Sequence, residues 1–294
     1  MPADDERFSA LHQTLLRKLQ EPRAAAPAGA GLARGRPVSL APLGFLLACL
    51  SWAGSADPLP DVVERASRSV VGVGAAYPSR VPTGGRAPRR LMGSGFVVDA
   101  GGQRLVVTNS HVIPTDLDED GREQIAVFAG RGGSARQYFA RLLRDDPEHD
   151  LALLAYDGPD LPAMTLGDGG DPRPGERVAF TGFPIGAALG LYPATHEGII
   201  AAITPVARAA DRGREINATQ LRRLRDPFDV YQLDAIAYPG NSGSAVYLAA
   251  TGEVIGVMNS VFVKESRENL LARPSGIAYA IPVVHLKKLL QRSR

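Results

Sequence analysis

Three residues of this chain stand in settings suited to acyl-transfer chemistry: Ser242, His111 and Asp150. Ser242 lies in the run Gly240-Asn241-Ser242-Gly243-Ser244. A serine hydroxyl is a poor nucleophile unless it is held rigidly with a base beside it. Glycines at 240 and 243 let the backbone turn tightly and approach another molecule closely. In such a turn the N–H groups of Gly240 and Ser242 can converge where the oxyanion of an acyl-transfer intermediate would sit. Gly240, Asn241 and Ser242 are therefore the candidate oxyanion hole. The base must come from His12, His111, His149, His196 or His285. His111 follows the apolar run Leu105-Val106-Val107 and then Thr108-Asn109-Ser110, which places it at a strand end where a loop presents it to a cleft. The third member must be a half-buried carboxylate that fixes the imidazole tautomer. Asp150 stands directly before Leu151-Ala152-Leu153-Leu154, whereas Asp145, Asp146 and Glu148 fall in a charged turn and are expected to be solvated.

Taken singly, each residue has a plainer reading. Gly-Asn-Ser-Gly is a common polar turn, a lone histidine carries no function, and an aspartate often opens a strand. Together they stand in the order His111, Asp150, Ser242, which is the order of the chymotrypsin-type triad.

The elements that must position these residues are short strands. Strand-like runs recur at Val70–Ala75, Gly95–Asp99, Leu105–Thr108, Gln124–Phe128, Tyr138–Leu143 and Leu151–Ala155. After a turn-rich link over 167–175 they resume at Arg177–Thr181, Glu197–Ile203, Val230–Leu233, Ser244–Tyr247, Val254–Val263 and Gly276–Ile281. Six strands on each side of the link predict an all-β fold of two six-stranded antiparallel barrels. The base and acid then lie in the first barrel and the nucleophile in the second, with a cleft between. A short helix is expected to lead into the first strand from Leu59. A second, over Val283–Gln291, places Val284, Leu286, Leu289 and Leu290 on one face and should pack on the second barrel.

The chain has 294 residues, 45% of them hydrophobic and 22% charged, so it can bury one large core or two small ones. A net charge of +2 with no long basic run gives nucleic acid no electrostatic claim as a partner. Cys49 is the only cysteine, so no intrachain disulfide forms, and zinc-type Cys/His spacing is absent. No metal or cofactor is expected.

The N-terminal part differs from the rest. Residues 1–36, with an Ala/Gly/Pro/Arg-rich stretch from Ala24 to Arg36, read as a flexible leader or as residues upstream of the true start. Residues 37–56 carry no charge. A basic flank (Arg34, Arg36), an apolar centre (Leu43 to Leu50) and small residues (Ala53-Gly54-Ser55-Ala56) are the parts of a secretory signal. Cleavage near Ala56, lipidation at Cys49 and retention as a membrane anchor are open alternatives, as is a buried helix. Residues 57–294 form the globular part.

Several runs make the triad order specific. Thr108-Asn109-Ser110-His111-Val112-Ile113 resembles the histidine motif of the HtrA/Deg serine proteases, and Gly93-Ser94-Gly95-Phe96-Val97-Val98 the strand before it. His149-Asp150-Leu151-Ala152-Leu153-Leu154 is similar to the aspartate motif. Pro239-Gly240-Asn241-Ser242-Gly243 is similar to the serine motif, and Gly276-Ile277-Ala278-Tyr279-Ala280-Ile281-Pro282 to the last strand. The resemblance covers roughly residues 59–291. Ser244 and Ala245 depart from the family's usual Gly-Pro, and the sequence ends at Arg294 without room for the PDZ domains usual there.

The resemblance implies a serine endopeptidase acting on unfolded or damaged proteins, trimeric as family members are; the leader implies that it works outside the cytoplasm, exported to a periplasm-like space or tethered to its membrane. It implies a pocket for the residue before the cut with Ile236 at its base beside Ala237, and Val261 and Phe262 as a wall. No acid lies at that base, so small aliphatic residues are the expected preference. The alternative is a protease-fold sensor that turns over little substrate and is regulated through its oxyanion loop. The charged stretch from Arg208 to Arg225 is either a solvated excursion or a regulatory loop.

Overall fold

The structure is a computed structural model that describes residues 58–78, 89–120, 122–170, 172–184, 191–206, 227–259 and 276–292. The leader, residues 37–56, Val261, Phe262 and the charged stretch 208–225 lie outside the described residues.

Helix α1 (Leu59–Ser67) opens the described chain. The first barrel follows: β1 (Val70–Ala76), β2 (Arg89–Asp99), β3 (Arg104–Thr108), β4 (Gln124–Ala129), β5 (Arg136–Asp146) and β6 (Leu151–Tyr156). The second comprises β7 (Arg177–Gly182), β8 (Ala194–Pro205), β9 (Asp229–Asp234), β10 (Ala245–Leu248), β11 (Val254–Asn259) and β12 (Ile277–Pro282), and helix α2 (Val283–Gln291) ends the fold. Around the first barrel the order is β1-β2-β3-β6-β5-β4, closed by β1 on β4. Around the second it is β7-β8-β9-β12-β11-β10, closed by β10 on β7. The two orders are the same shifted by six strands, and every described ladder is antiparallel.

The alternation of the sequence explains the cores. Val71, Val73, Val97, Val106, Val127 and Leu154 fill the first barrel, and Val178, Phe180, Ile200, Leu233, Val246 and Met258 the second. A third cluster lies across the seam. It joins Phe96, Val107, Leu151 and Leu153 of the first barrel to Tyr247, Val257 and Ile281 of the second. Val62 of α1 and Val283, Leu286 and Leu289 of α2 belong to the same cluster. Each fully buried Leu or Phe there stabilises by about 1.5–3 kcal/mol, so the shared cluster fixes one barrel against the other.

Two expectations change. Helix α2 packs on β11 and β12, but it also reaches the first barrel: Arg144 donates to Leu290 O at 3.1 Å, and the His285 ring stacks on His149 with centroids 4.1 Å apart. Asp146 is not solvated but buried, because β5 runs on to this residue and delivers its carboxylate to His149 Nδ1 (3.0 Å) and Arg292 (3.1 Å). Asp145 is exposed as expected.

Candidate active site

β3 ends at Thr108, and the chain turns through a short 3-10 segment, Ser110–Val112, that carries His111. Asp150 stands at the end of the β5–β6 turn. It has φ +54°, a left-handed conformation uncommon for any residue but glycine and tolerated by Asp. That conformation turns the chain back into β6. Asn109 supports it: its Nδ2 donates to the Asp150 carbonyl at 2.9 Å, with both residues buried.

The Asp150 carboxylate is fully used. Its Oδ1 accepts the His111 backbone N–H at 2.9 Å, and its Oδ2 lies 2.7 Å from His111 Nδ1. Asn259, at the end of β11, donates its Nδ2 to the same Oδ2 at 2.6 Å. A carboxylate so placed favours the tautomer with the proton on Nδ1, which leaves Nε2 as the acceptor. The His111 side chain is about one third exposed and that of Asp150 about one tenth, so the imidazole faces outward from a buried anchor.

Ser242 is buried on the turn before β10. Gly240 and Gly243 have φ of +101° and +86°, which is why these positions require glycine. A Cβ on Gly243 would lie 2.1 Å from Ser94 O, so the turn meets β2 of the first barrel backbone to backbone. Two routes connect this turn to the His–Asp pair. A Cβ on Gly93 would stand 2.9 Å from Ser242 O and 2.8 Å from the side chain of Val112, the neighbour of His111. Gly243 donates to Met258 O at 3.0 Å, and the next residue, Asn259, holds Asp150. The Ser242 turn thus packs beside the elements that carry His111 and Asp150.

Of the three candidate oxyanion residues, Asn241 uses its own N–H in the turn, donating to Tyr238 O at 3.0 Å. Its side-chain amide is buried with no hydrogen-bond partner among the described residues. Of the pocket candidates, Ile236 is 40% exposed and Ala237 half-buried, both in the segment from β9 to the turn; Asp234 is exposed. His196 lies behind this segment, its ring stacked on Phe180 (5.1 Å) and near Tyr238 (5.7 Å), and burial lowers its pKa. His196 and His149 therefore pack, whereas His111 is presented outward.

Residue-by-residue reasoning did not single out Asn109, Asn259 or Ser94. The signal was present: each is a polar residue beside or inside an apolar run, and a buried polar side chain must find a partner.

A trypsin-like peptidase domain model matches residues 93–257. The chain is 33% identical over 195 residues to a probable periplasmic DegP-like serine endoprotease of Halomonas elongata, covering 66% of this chain and 33% of that protein. It is 32% identical over 234 residues to serine protease HTRA3 of Homo sapiens, covering 79% of this chain and 44% of that protein. The chain thus spans less than half the length of these curated relatives. Among solved structures, an HtrA-type protease with tripeptide superposes with a TM-score of 0.54 at 29% identity, covering 79% of this chain and 62% of that one.

Proposed function

Because the chain belongs to the trypsin-like peptidase family, in its HtrA/DegP branch, we propose that it is a serine endopeptidase with Ser242 as nucleophile, His111 as base and Asp150 as the group that orients the base. The observation that carries this reading is the double grip of Asp150 on His111, through Nδ1 and through the backbone N–H, beside the turn that bears Ser242. In the reaction His111 Nε2 takes the hydroxyl proton as Ser242 Oγ bonds to the scissile carbonyl carbon. The carbonyl oxygen becomes an oxyanion facing the Gly240 and Ser242 amides. Collapse breaks the C–N bond, His111 returns the proton to the leaving amine, and water then hydrolyses the acyl-enzyme by the same steps.

The finer parts of the reading are these. Substrates are unfolded or damaged polypeptides, and the segment Ala235–Ala237 gives an apolar pocket for a small aliphatic residue before the cut. The enzyme works outside the cytoplasm, as the name of the Halomonas relative says of that protein. Residues 37–56 export or tether it, and copies assemble as trimers. A fluorogenic peptide library reads the pocket, and cleavage after Arg or Lys with none after Val or Ala contradicts it.

The test of the chemistry is labelling by a serine-directed phosphonate, located by mass spectrometry. Modification at Ser242 that is lost in Ser242→Ala supports the assignment. Turnover of peptides by Ser242→Ala sinks it. Slow or absent labelling of a folded wild-type protein favours the sensor reading instead.

A further inference from the structure

We propose that Ser94, on the first barrel, is a positioning residue for the nucleophile turn of the second, holding the carbonyls of Gly240 and Ser242 and so aiming the turn's amides at the oxyanion. The proposal rests on the peptidase reading above and names how its oxyanion site is held in shape.

Ser94 lies in the middle of β2, fully buried, and each of its polar groups is engaged. Its N–H donates to Ser242 O at 2.8 Å. Its hydroxyl donates to Gly240 O at 2.7 Å and accepts the N–H of Phe183 at 2.8 Å. Its carbonyl accepts the hydroxyl of Thr108 at 2.8 Å. A hydroxyl has one proton. With the Phe183 N–H on its oxygen, that proton is directed to Gly240 O, so the contact has one orientation.

The consequence for the turn follows from the planarity of the peptide unit, in which N–H and C=O point opposite ways. Gly240 O is held by the Ser94 hydroxyl, Asn241 O by the Ser244 N–H (3.0 Å), and Ser242 O by the Ser94 N–H. Three successive carbonyls are thereby fixed. The Ser242 N–H belongs to the peptide unit between the two that Ser94 holds, so its direction is set by them. Catalytic donors must be held in their productive geometry before the charge develops. Here the brace comes from the opposite barrel, which also carries His111 and Asp150.

The Ser94 hydroxyl is crowded on the side of Gly182. A Cβ on Gly182 would stand 2.7 Å from the Ser94 hydroxyl and 2.1 Å from that of Ser244. Loss of the hydroxyl leaves Gly240 O and the Phe183 N–H without this partner at a buried position, and the turn is free to rotate toward another.

The experiment compares the wild-type protein with Ser94→Ala. Three readouts are taken per folded molecule: the rate of labelling by a peptidyl phosphonate, kcat and KM on a peptide substrate, and the affinity for a reduced-amide peptide that lacks the scissile carbonyl. The phosphonate and the transition state place an oxygen on the turn's amides, and the reduced amide does not. Labelling rate and kcat should fall together, roughly 10- to 100-fold, while KM and reduced-amide affinity stay within about twofold. A purely structural role moves all of them or none. An unchanged labelling rate in Ser94→Ala overturns the proposal, as does an equal loss of reduced-amide affinity. If Ser94→Ala does not fold, Ser94→Cys, which keeps a weaker donor in the same place, should show a smaller loss of the same kind, and no loss there overturns the proposal. A wild-type protein that is not labelled at Ser242 overturns the peptidase reading and this one with it; a labelled wild type with an equally fast variant overturns this one alone.

Discussion

His285 makes the docking of α2 sensitive to acid. Its ring is stacked on His149 at 4.1 Å and lies 5.0 Å from Phe228, and its Nδ1 is buried with no hydrogen-bond partner among the described residues. Burial, then the neighbouring His149 and Lys288, lower its pKa from 6.5 to about 4, with Asp146 the one group acting the other way. A histidine that charges more readily unfolded than folded contributes stability above pH 6.5. That stability is lost as pH falls from 6.5 to about 4. The difference sets a ceiling of about 3.4 kcal/mol. The residue is only partly buried, so screening by solvent reduces the expected figure to roughly 1–2 kcal/mol. His285→Phe keeps an aromatic ring in the stack and removes the titration. Urea unfolding at pH 7.5, 6, 5 and 4 should show the wild-type protein losing roughly 1–2 kcal/mol more than the variant. Asp146 does not confuse the comparison. Although burial opposes it, its hydrogen bond to His149 holds its pKa below the ordinary 3.8, so its contribution is lost only below that pH and equally in both proteins. Parallel stability curves for wild type and variant from pH 7.5 to 4 would refute the reasoning.

Other residues give sharper catalytic or structural readouts. His111→Ala should lower kcat on the order of 10⁶-fold with the unfolding transition retained, since the base and nucleophile act as a unit. Asn259→Ala removes the 2.6 Å donor to Asp150 Oδ2 and should lower kcat about tenfold. Asn259→Asp, which sets one carboxylate against another, should be worse; steady-state kinetics showing Asp no worse than Ala would contradict the role of that contact. Gly243→Ala combines φ +86° with a Cβ 2.1 Å from Ser94 O, so it should cost about 2 kcal/mol or more and abolish labelling of Ser242, which thermal unfolding and mass spectrometry check together.

The twelve described strands were legible because most of the apolar runs have a Gly, Pro or Asp within a few residues of an end, and helix α2 kept its expected bounds. The ends of β2 and β8 were not. Arg89-Arg90 and Ala194-Thr195-His196 are polar or small, and what makes them strand is pairing with Ala75–Ala76 and with Phe180–Gly182, which no local pattern encodes. The burial of Asp146 was hidden for a similar reason: one of its partners, Arg292, comes from the far end of the chain. The triad candidates could be picked out by spacing and order. The residues that brace them could not, because Ser94 in Gly93-Ser94-Gly95 and Asn259 after Met258 look like polar interruptions until the opposite barrel is in place.

The two ends of the inter-barrel seam are fastened by different chemistry, and this separates two effects of acid. At the nucleophile turn the links are neutral: the Ser94 amide and hydroxyl to Ser242 and Gly240. No proton is gained or lost by these groups between pH 4 and 9. At α2 the links are His149, His285, Asp146 and Arg292. Acid therefore weakens the helix end of the seam and leaves the turn end intact. A fall in turnover with acid in the wild-type protein combines what happens at the active site itself with any loosening passed along the seam. His285→Phe retains His111 and loses the titrating ring of α2, so the part of the fall that persists in the variant belongs to the active site. The part that vanishes measures how far the docking of α2 reaches into the placement of Asp150, which follows His149 directly in the chain.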